Sequence, residues 1–266
     1  MSRRQALTRY IGSRLVLAPV MLWLIATLVF LLLRVAPGDP VDALLGNRAS
    51  ALAREQLRAQ LGLDQPLLAQ YGQFLADLLQ GDLGSSLRNS QSVREIVGAA
   101  LPASVELGVT ALLIALVLGL AVGFSGVARP EGRLDLAGRL YGIGTYALPV
   151  FWAAMVMQLV FAVGLGWFPV GGRYPPTLVP PQGSGFYLLD GLLAGDWAVI
   201  QATLQHLALP ALTLGLLLSG IFERALRLNL RRALRSDYVE AARSRGISET
   251  RVVLRHALPN ALLPVL

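Results

Sequence analysis

Few residues in this chain have side chains suited to chemistry, and they lie far apart in the sequence. Glu106 and His206 are the candidates within the apolar stretches, each at the end of one. A membrane-embedded enzyme needs a polar constellation such as Ser with His or paired carboxylates. His206 and His256 are fifty residues apart and predict no metal cluster. We therefore expect Glu106 and His206 to be polar residues at the start of membrane spans, with a structural role for Glu106.

The basic residues exclude further chemistries, because all 23 of them are arginine. A phosphate-binding P-loop requires lysine, and so does Schiff-base catalysis. The chain also has no cysteine, which excludes disulfides and thiol nucleophiles. The sequence thus predicts neither an ATPase nor a metal or cofactor site within this chain.

A second group of polar residues, near the end of the sequence, has the spacing of two short helices. Ser236 or Asp237 can cap the first helix, and Asp237 with Glu240 has the form of a capping box. Gly246 suits the left-handed position that ends a helix. Ser248 can cap a second helix, which we expect Pro259 to end. The pattern predicts a compact knob, by which we mean two short helices packed into one protrusion. The small side chains of Ala241 and Ala242 would let another protein approach the surface of this knob closely.

The elements that hold these residues are apolar segments of membrane length. The chain has 266 residues, of which 55% are hydrophobic and 15% charged, whereas soluble domains carry about 25% charged residues. At about 1.5 Å per residue, roughly 20 residues cross the hydrocarbon core. We predict spans at residues 15–33, 107–128, 143–167 and 207–222, and the start of a fifth at 261. The predicted fold is an all-α, polytopic transmembrane helical bundle.

Arginine placement predicts the orientation of these spans. Arginine outnumbers acidic residues in the N-terminal segment and in the second and fourth connections. The first and third connections, residues 34–102 and 168–205, carry a slight acidic excess. Because basic residues accumulate on the cytoplasmic side, we expect a cytoplasmic N-terminus. The positive charge is split over three membrane-flanking segments rather than one stripe, which argues against nucleic-acid binding.

The long first connection suggests a division of the chain into three parts. Helical spacing of Leu52, Leu57 and Leu61 predicts a helix that Gly62 ends, and Pro66 begins another. We interpret the connection as a helical external insertion that packs on itself; a docking surface for an external partner is the alternative. The predicted parts are residues 1–34 (N-terminal segment and first span), 35–102 (insertion) and 103–266 (core, with a loop at 223–258).

The spacing of Glu240-Ala241-Ala242, Gly246 and Pro259 resembles the EAA loop of ABC-importer permeases. In that family the loop contacts a cytoplasmic ATPase, and the resemblance implies an ATPase-coupling role here. The residues carried over are Asp237, Tyr238, Glu240, Ala241, Ala242, Gly246, Ser248, His256, Leu258 and Pro259.

Further segments are similar to the first (B-type) permease subunits of dipeptide, oligopeptide and nickel importers, whose core is MetI-like. They are residues 34–40, 61–66, 81–84, 101–107, 166–169, 206–212 and 256–264. The resemblance implies a multi-pass subunit of a bacterial or archaeal inner membrane, which translocates peptides or a related small solute. The implied partners are a second homologous permease in a heterodimer, two ATP-binding subunits that hold ATP and Mg²⁺, an external substrate-binding protein and the bilayer.

The family continues through a fifth and a sixth span, so the resemblance also implies that this sequence stops before the last spans. Two other functions are weighed against the importer. An ion-coupled secondary transporter normally needs an intramembrane relay of Asp, Glu or His, which the spans do not predict. A membrane-embedded enzyme or assembly factor would have to use Glu106 and His206.

Overall fold

The computed structural model describes residues 3–35, 41, 45, 50–86, 89, 91–128 and 132–265. These residues are nearly all helical, with one isolated bridge between Ser85 and Ser92 and no longer strand among them. The predicted all-α fold is therefore confirmed. Within the sequence segment 34–40, residues 36–40 lie outside the described part. The chain divides into two compact units, Met1–Gly98 and Ala99–Leu266.

The part of the first unit that the structure describes in continuous segments includes three helices and the beginning of a fourth. They are α1 (Arg3–Val35), α2 (Ala51–Gln60), α3 (Leu67–Leu79) and the start of α4 (Val93–Ala128). As predicted, Gly62 follows the end of α2 with a left-handed φ of 62°, and Pro66 precedes α3. Both residues suit these positions, since glycine tolerates positive φ and proline fixes a φ compatible with a helix start.

Aromatic side chains join α3 to α1 in this unit. The ring of buried Phe30 lies 5.2 Å from the ring of Tyr71 and 5.5 Å from that of Phe74. The hydroxyl of Tyr71 is 2.6 Å from Thr27 Oγ1. The predicted apolar face of α2 contributes less to the packing of this unit, because Leu52 and Leu61 are exposed. The first unit is thus built around α1 and α3 rather than around α2.

The second unit contains the rest of α4 and the helices that follow. They are α5 (Arg133–Ala147), α6 (Val150–Met157, continued by a π-helical segment Gln158–Gly164), α7 (Tyr187–Ala194), α8 (Trp197–Leu234), α9 (Asp237–Ser244), α10 (Glu249–Arg251, continued by a π-helical segment Val252–Ala257) and α11 (Leu258–Leu262). The long helix α8 packs against α5, α6, α7 and α11, so it forms the axis of this unit.

Among the described residues, three helices are long and apolar enough to cross a membrane, at Thr8–Arg34, Val93–Val127 and Trp197–Leu234. They include three of the predicted spans but extend beyond them. The predicted span at 143–167 is different, because its region forms two helices, Arg133–Ala147 and Val150–Gly164, bent by 102°. Pro149 lacks a backbone N–H and disfavours a helical conformation at Leu148, which is extended here. The segment predicted as the third span therefore lies across two helices, which meet the length and hydropathy of a membrane span only as a pair.

Candidate functional site

The residues predicted as a knob form a helical hairpin, residues 237–262, directly after α8. Helix α9 ends at Ser244, and Gly246 follows with a left-handed φ of 74°. The N–H of Gly246 donates to the carbonyl of Arg243 at 2.9 Å, and that of Ile247 to Ala242 at 3.4 Å. The predicted position of Gly246 just past a helix end is confirmed, and this is where a side chain would strain the backbone.

The predicted capping interactions are not formed. Ser236 and Ser248 do lie in extended conformation before α9 and α10, but neither side chain caps its helix. The hydroxyl of Ser236 instead donates to the carbonyl of Ala233 in the last turn of α8. Asp237 is the first helical residue, so its carboxylate with that of Glu240 favours the helix dipole without closing a capping box.

One side of α9 is buried and the other is exposed. Val239 and Ala242, three residues apart, join a cluster that includes Leu226 and Leu230 of α8. The expectation that Ala242 lies on the surface was therefore wrong. The exposed residues of this helix include Asp237, Tyr238, Glu240 and Ala241. The hairpin is held to α8 by apolar contacts, and its acidic and aromatic side chains face outward.

An ion pair closes the hairpin across its glycine turn. Arg243 donates from Nε and Nη2 to the two carboxylate oxygens of Glu249, at 3.0 and 2.5 Å. This hydrogen bonding raises the pKa of Arg243 and lowers the pKa of the Glu249 carboxyl. Both side chains remain substantially exposed, so the pair orients the two helices more than it stabilises them.

We expected Pro259 to end the second helix of the hairpin, but it does not. It lies near the start of α11, within a helical run that continues to Leu262. The preceding segment Val252–Ala257 is π-helical, and the N–H of Leu258 donates to Val253 five residues earlier. Wider turns of this kind relieve the contact between a proline ring and the preceding turn. His256 and Leu258 are half-buried here, whereas Pro259 is exposed.

A charged crossing lies where α5 meets α8, and sequence reasoning missed it. Its carboxylates are Asp135 and Glu223, with 1% and 0% of their surface exposed. Asp135 pairs with Arg139 and, at 2.6 Å, with Arg231. Arg227 Nε lies 3.0 Å from Glu223 Oε1. From the sequence, Asp135 and Arg139 are expected in the connection between the second and third predicted spans, and residues 223–234 in the loop 223–258. In the structure, all of these residues lie in helices. The sequence pattern that could have indicated these ion pairs is the i, i+4 spacing of Asp135 with Arg139 and of Glu223 with Arg227.

Glycines make the close approach at this crossing possible. A Cβ on Gly142 of α5 would lie 2.7 Å from Glu223 Oε2. On the facing surface of α4, a Cβ on Gly119 would lie 2.4 Å from the carbonyl oxygen of Ser219. The hydroxyl groups of Tyr141 and Ser219 also form a hydrogen bond between α5 and α8. Small residues and interhelical polar contacts are the usual means of packing membrane helices.

The structure brings Glu106 and His206 to the wall of one cavity, far along α8 from the hairpin. Glu106 is buried, and its carboxylate accepts from Arg173 Nη2 at 2.8 Å and from the N–H of Leu188 at 2.6 Å. The Arg173 guanidinium lies 3.9 Å from the ring centroid of Tyr187. Through these contacts Glu106 holds the segment before α7 and the start of α7 against α4; its predicted structural role stays a prediction.

Within the described residues, no group of three or more His, Cys, Asp or Glu side chains could hold a metal ion. The arrangement can instead transmit force. A hairpin held at both of its helices to α8 moves with that helix, and α8 is linked to α5 through buried charges.

Comparison with known proteins agrees with this architecture. Residues 93–266 match the family described as "Binding-protein-dependent transport system inner membrane component", and residues 7–108 match the N-terminal region of such membrane components. The chain is 40% identical over 241 residues to the "Probable D,D-dipeptide transport system permease protein DdpB" of Escherichia coli, covering 90% of this chain and 71% of that protein.

Two further relatives have similar names. The dipeptide permease DppB of Alkalihalophilus pseudofirmus is 33% identical, over 95% of this chain and 75% of its own length. The di/tripeptide permease DppB of Pseudomonas aeruginosa is 35% identical, over 97% of this chain and 77% of its own. With its membrane-length helices and its helical hairpin, the chain therefore belongs to the family of inner membrane permease components of binding-protein-dependent transport systems.

Proposed function

We propose that this permease subunit translocates peptides or a related small solute, and that the hairpin couples it to an ATP-binding subunit. The observation that carries the proposal is the attachment of the hairpin to α8. Val239, Ala242 and Val252 are buried in one cluster with Leu226 and Leu230. A force applied to the exposed side of α9 would move a membrane-length helix rather than bend a loop.

The contact surface we propose for the ATP-binding subunit is the exposed side of α9. It consists of Asp237, Tyr238, Glu240 and Ala241, with Gly246 and Ser248 at the turn. Tyrosine is enriched at protein contacts, and Tyr238 is 44% exposed. For His256, Leu258 and Pro259 we propose a role in setting the conformation of the helical segment that follows the glycine turn.

Membership of a binding-protein-dependent system supports the assembly that we propose. It comprises a heterodimer with a second homologous permease, two ATP-binding subunits that hold ATP and Mg²⁺, and an external substrate-binding protein. The arginine distribution supports a cytoplasmic N-terminus. In this proposal the bent helix pair Arg133–Ala147 and Val150–Gly164 makes one crossing in addition to the three long helices. Four crossings then precede the hairpin, which lies on the same side as the N-terminus and the ATP-binding subunits. The division into residues 1–34, 35–102 and 103–266 stays part of this proposal.

The peptide substrate is proposed from the relatives, whose names specify dipeptides and di/tripeptides. Retention of labelled dipeptide inside proteoliposomes that hold the whole assembly and ATP would support it. Uptake that continues after ATP depletion would indicate an ion-coupled carrier and would contradict the proposal.

The hairpin contact can be tested by purifying the tagged complex in mild detergent with Ala241→Arg. The substitution adds a bulky cation to the exposed side of α9 without entering the cluster, so the ATP-binding subunits should be lost. Gly246→Asp should have the same effect by straining the turn. The matched control is Ala194→Arg, on an exposed residue that ends α7. Equal recovery of ATP-binding subunits with Ala241→Arg and Ala194→Arg would rule out the proposed contact.

A further inference from the structure

Helix α3 of the first unit has an apolar side that is largely exposed. Leu68 and Leu79 are 85% and 90% exposed. Together with Leu75 they have the spacing i, i+7 and i+11, which puts all three on one side of the helix. Gln73 and Asp77 lie on roughly the opposite side, where the Gln73 amide donates to the Asp77 carboxylate at 2.7 Å. Helix α3 is therefore amphipathic, with a leucine side and a polar side.

The contacts of α3 with α1 place it near one end of a membrane span. The ring of Phe30 packs on those of Tyr71 and Phe74, and the Tyr71 hydroxyl lies 2.6 Å from Thr27 Oγ1. Thr27 and Phe30 precede Arg34, which ends the apolar run, by about two turns and one turn. At about 1.5 Å per residue, this is roughly 10 and 6 Å of helix. Because these contacts involve a single turn of each helix, α3 crosses α1 at this level.

The guanidinium group of Arg34 marks the membrane surface beside these contacts. It lies 5.3 Å from the ring centroid of Phe30. Long basic side chains at the end of a span keep their charge among the lipid headgroups, because hydrocarbon cannot solvate it. Tyrosine is enriched at the same boundary, and Tyr71 packs on the other side of this cluster. The cluster of Phe30, Tyr71 and Phe74 therefore lies where the hydrocarbon meets the headgroups.

We propose that α3 lies in the surface of the membrane, with its leucine side in the lipid and its polar side toward water. Helices that lie in this position bury their apolar side about 5–10 Å deep, which agrees with the level at which α3 meets α1. The leucine side then continues the exposed apolar surface of α1, a membrane-length helix. A water-soluble partner would contact a surface beyond the headgroups, whereas these leucines are on a helix that crosses the span itself. With the cytoplasmic N-terminus proposed above, this is the external membrane surface.

Fluorescence quenching at single cysteines tests this position. The chain has no cysteine, so Leu68→Cys or Leu79→Cys provides one site in this subunit for a bimane label. The unmodified assembly, treated with the same reagent, gives the background from partner subunits. The complete assembly is placed in nanodiscs of phosphatidylcholine with or without bromine on the acyl chains, and iodide is the quencher in water. We expect brominated lipid to remove most of the fluorescence at both leucine positions, and iodide to leave it nearly unchanged.

Gln73→Cys is the matched control, because it is an exposed position on the polar side of the same helix. Its label should respond in the opposite way, with strong quenching by iodide and little by brominated lipid. Equal responses at all three positions, to either quencher, would mean that both sides of α3 meet the same surroundings, and would overturn the proposal. Labels at Leu68 and Leu79 that neither quencher reaches would show that a protein covers the leucine side, and would also overturn it.

Discussion

The charged crossing and the hairpin both contain arginine–carboxylate pairs, but the surroundings of these pairs differ. Asp135 and Glu223 are almost completely buried, whereas the Glu249 side chain is 60% exposed and that of Arg243 is 40% exposed. A buried charge that loses its partner stays desolvated, while an exposed charge is solvated by water. The same chemical pair therefore holds helices together at the crossing and only orients a turn in the hairpin.

The largest effect is expected from Glu223→Ala at the crossing. The substitution leaves Arg227, whose side chain is 15% exposed, with a largely buried charge and no carboxylate partner. Removing one member of a buried pair typically costs about 3–5 kcal/mol. The measurement is the unfolding midpoint of the purified subunit during denaturing-detergent titration.

Glu249→Ala in the hairpin is the control for this comparison. Because its partner Arg243 is then solvated by water, the free energy of unfolding should fall by less than about 1 kcal/mol. Similar losses for Glu223→Ala and Glu249→Ala would show that burial does not distinguish the two regions.

An intermediate effect is expected from Gly119→Ala, which tests how closely the helices approach beside the crossing. The added Cβ would lie 2.4 Å from the Ser219 carbonyl oxygen and 2.6 Å from the Phe222 Cβ. Backbone cannot move aside as a side-chain end can, so α4 and α8 would separate, at a cost of about 1–3 kcal/mol.

Gly108, on the same helix, has nothing within 4 Å of the position of its Cβ. Gly108→Ala should therefore leave the unfolding midpoint unchanged or raise it, since alanine favours a helix. A Gly119→Ala protein as stable as the Gly108→Ala protein would show that α4 and α8 are not in such close contact.

Sequence reasoning predicted the features that depend on local pattern. Residues 15–33 and 107–128 were identified by their hydropathy, and Gly246 by the need for a residue that accepts a left-handed conformation. In each case one segment contains all the information required. The helices proved longer than predicted because polar residues that extend a helix beyond the membrane do not contribute to an apolar run.

The features that were missed depend on partners distant in sequence. Arg231 and Asp135 are 96 residues apart, and nothing near either residue indicates the other. Ala242 was expected on the surface because alanine suits both a close contact and a core, and only the fold decides between them. Pro259 was expected to end a helix, since the π-helical turn that accommodates it has no signature in the residues before it.

The smallest effect is expected from acidification at the hairpin. The hydrogen bond from Arg243 lowers the pKa of Glu249 in the folded protein, so the folded state binds a proton there less readily than the unfolded chain. The pair therefore contributes its full stability above the ordinary pKa of glutamate, and this contribution is lost as the pH falls through the lower value of the folded protein. Because both side chains are exposed, the difference should stay under about 1 kcal/mol. Comparing the unfolding midpoints of the unmodified protein and Glu249→Gln against pH should show a gap near neutrality that closes in acid. A gap that widens in acid would mean that Glu249 is not held by Arg243.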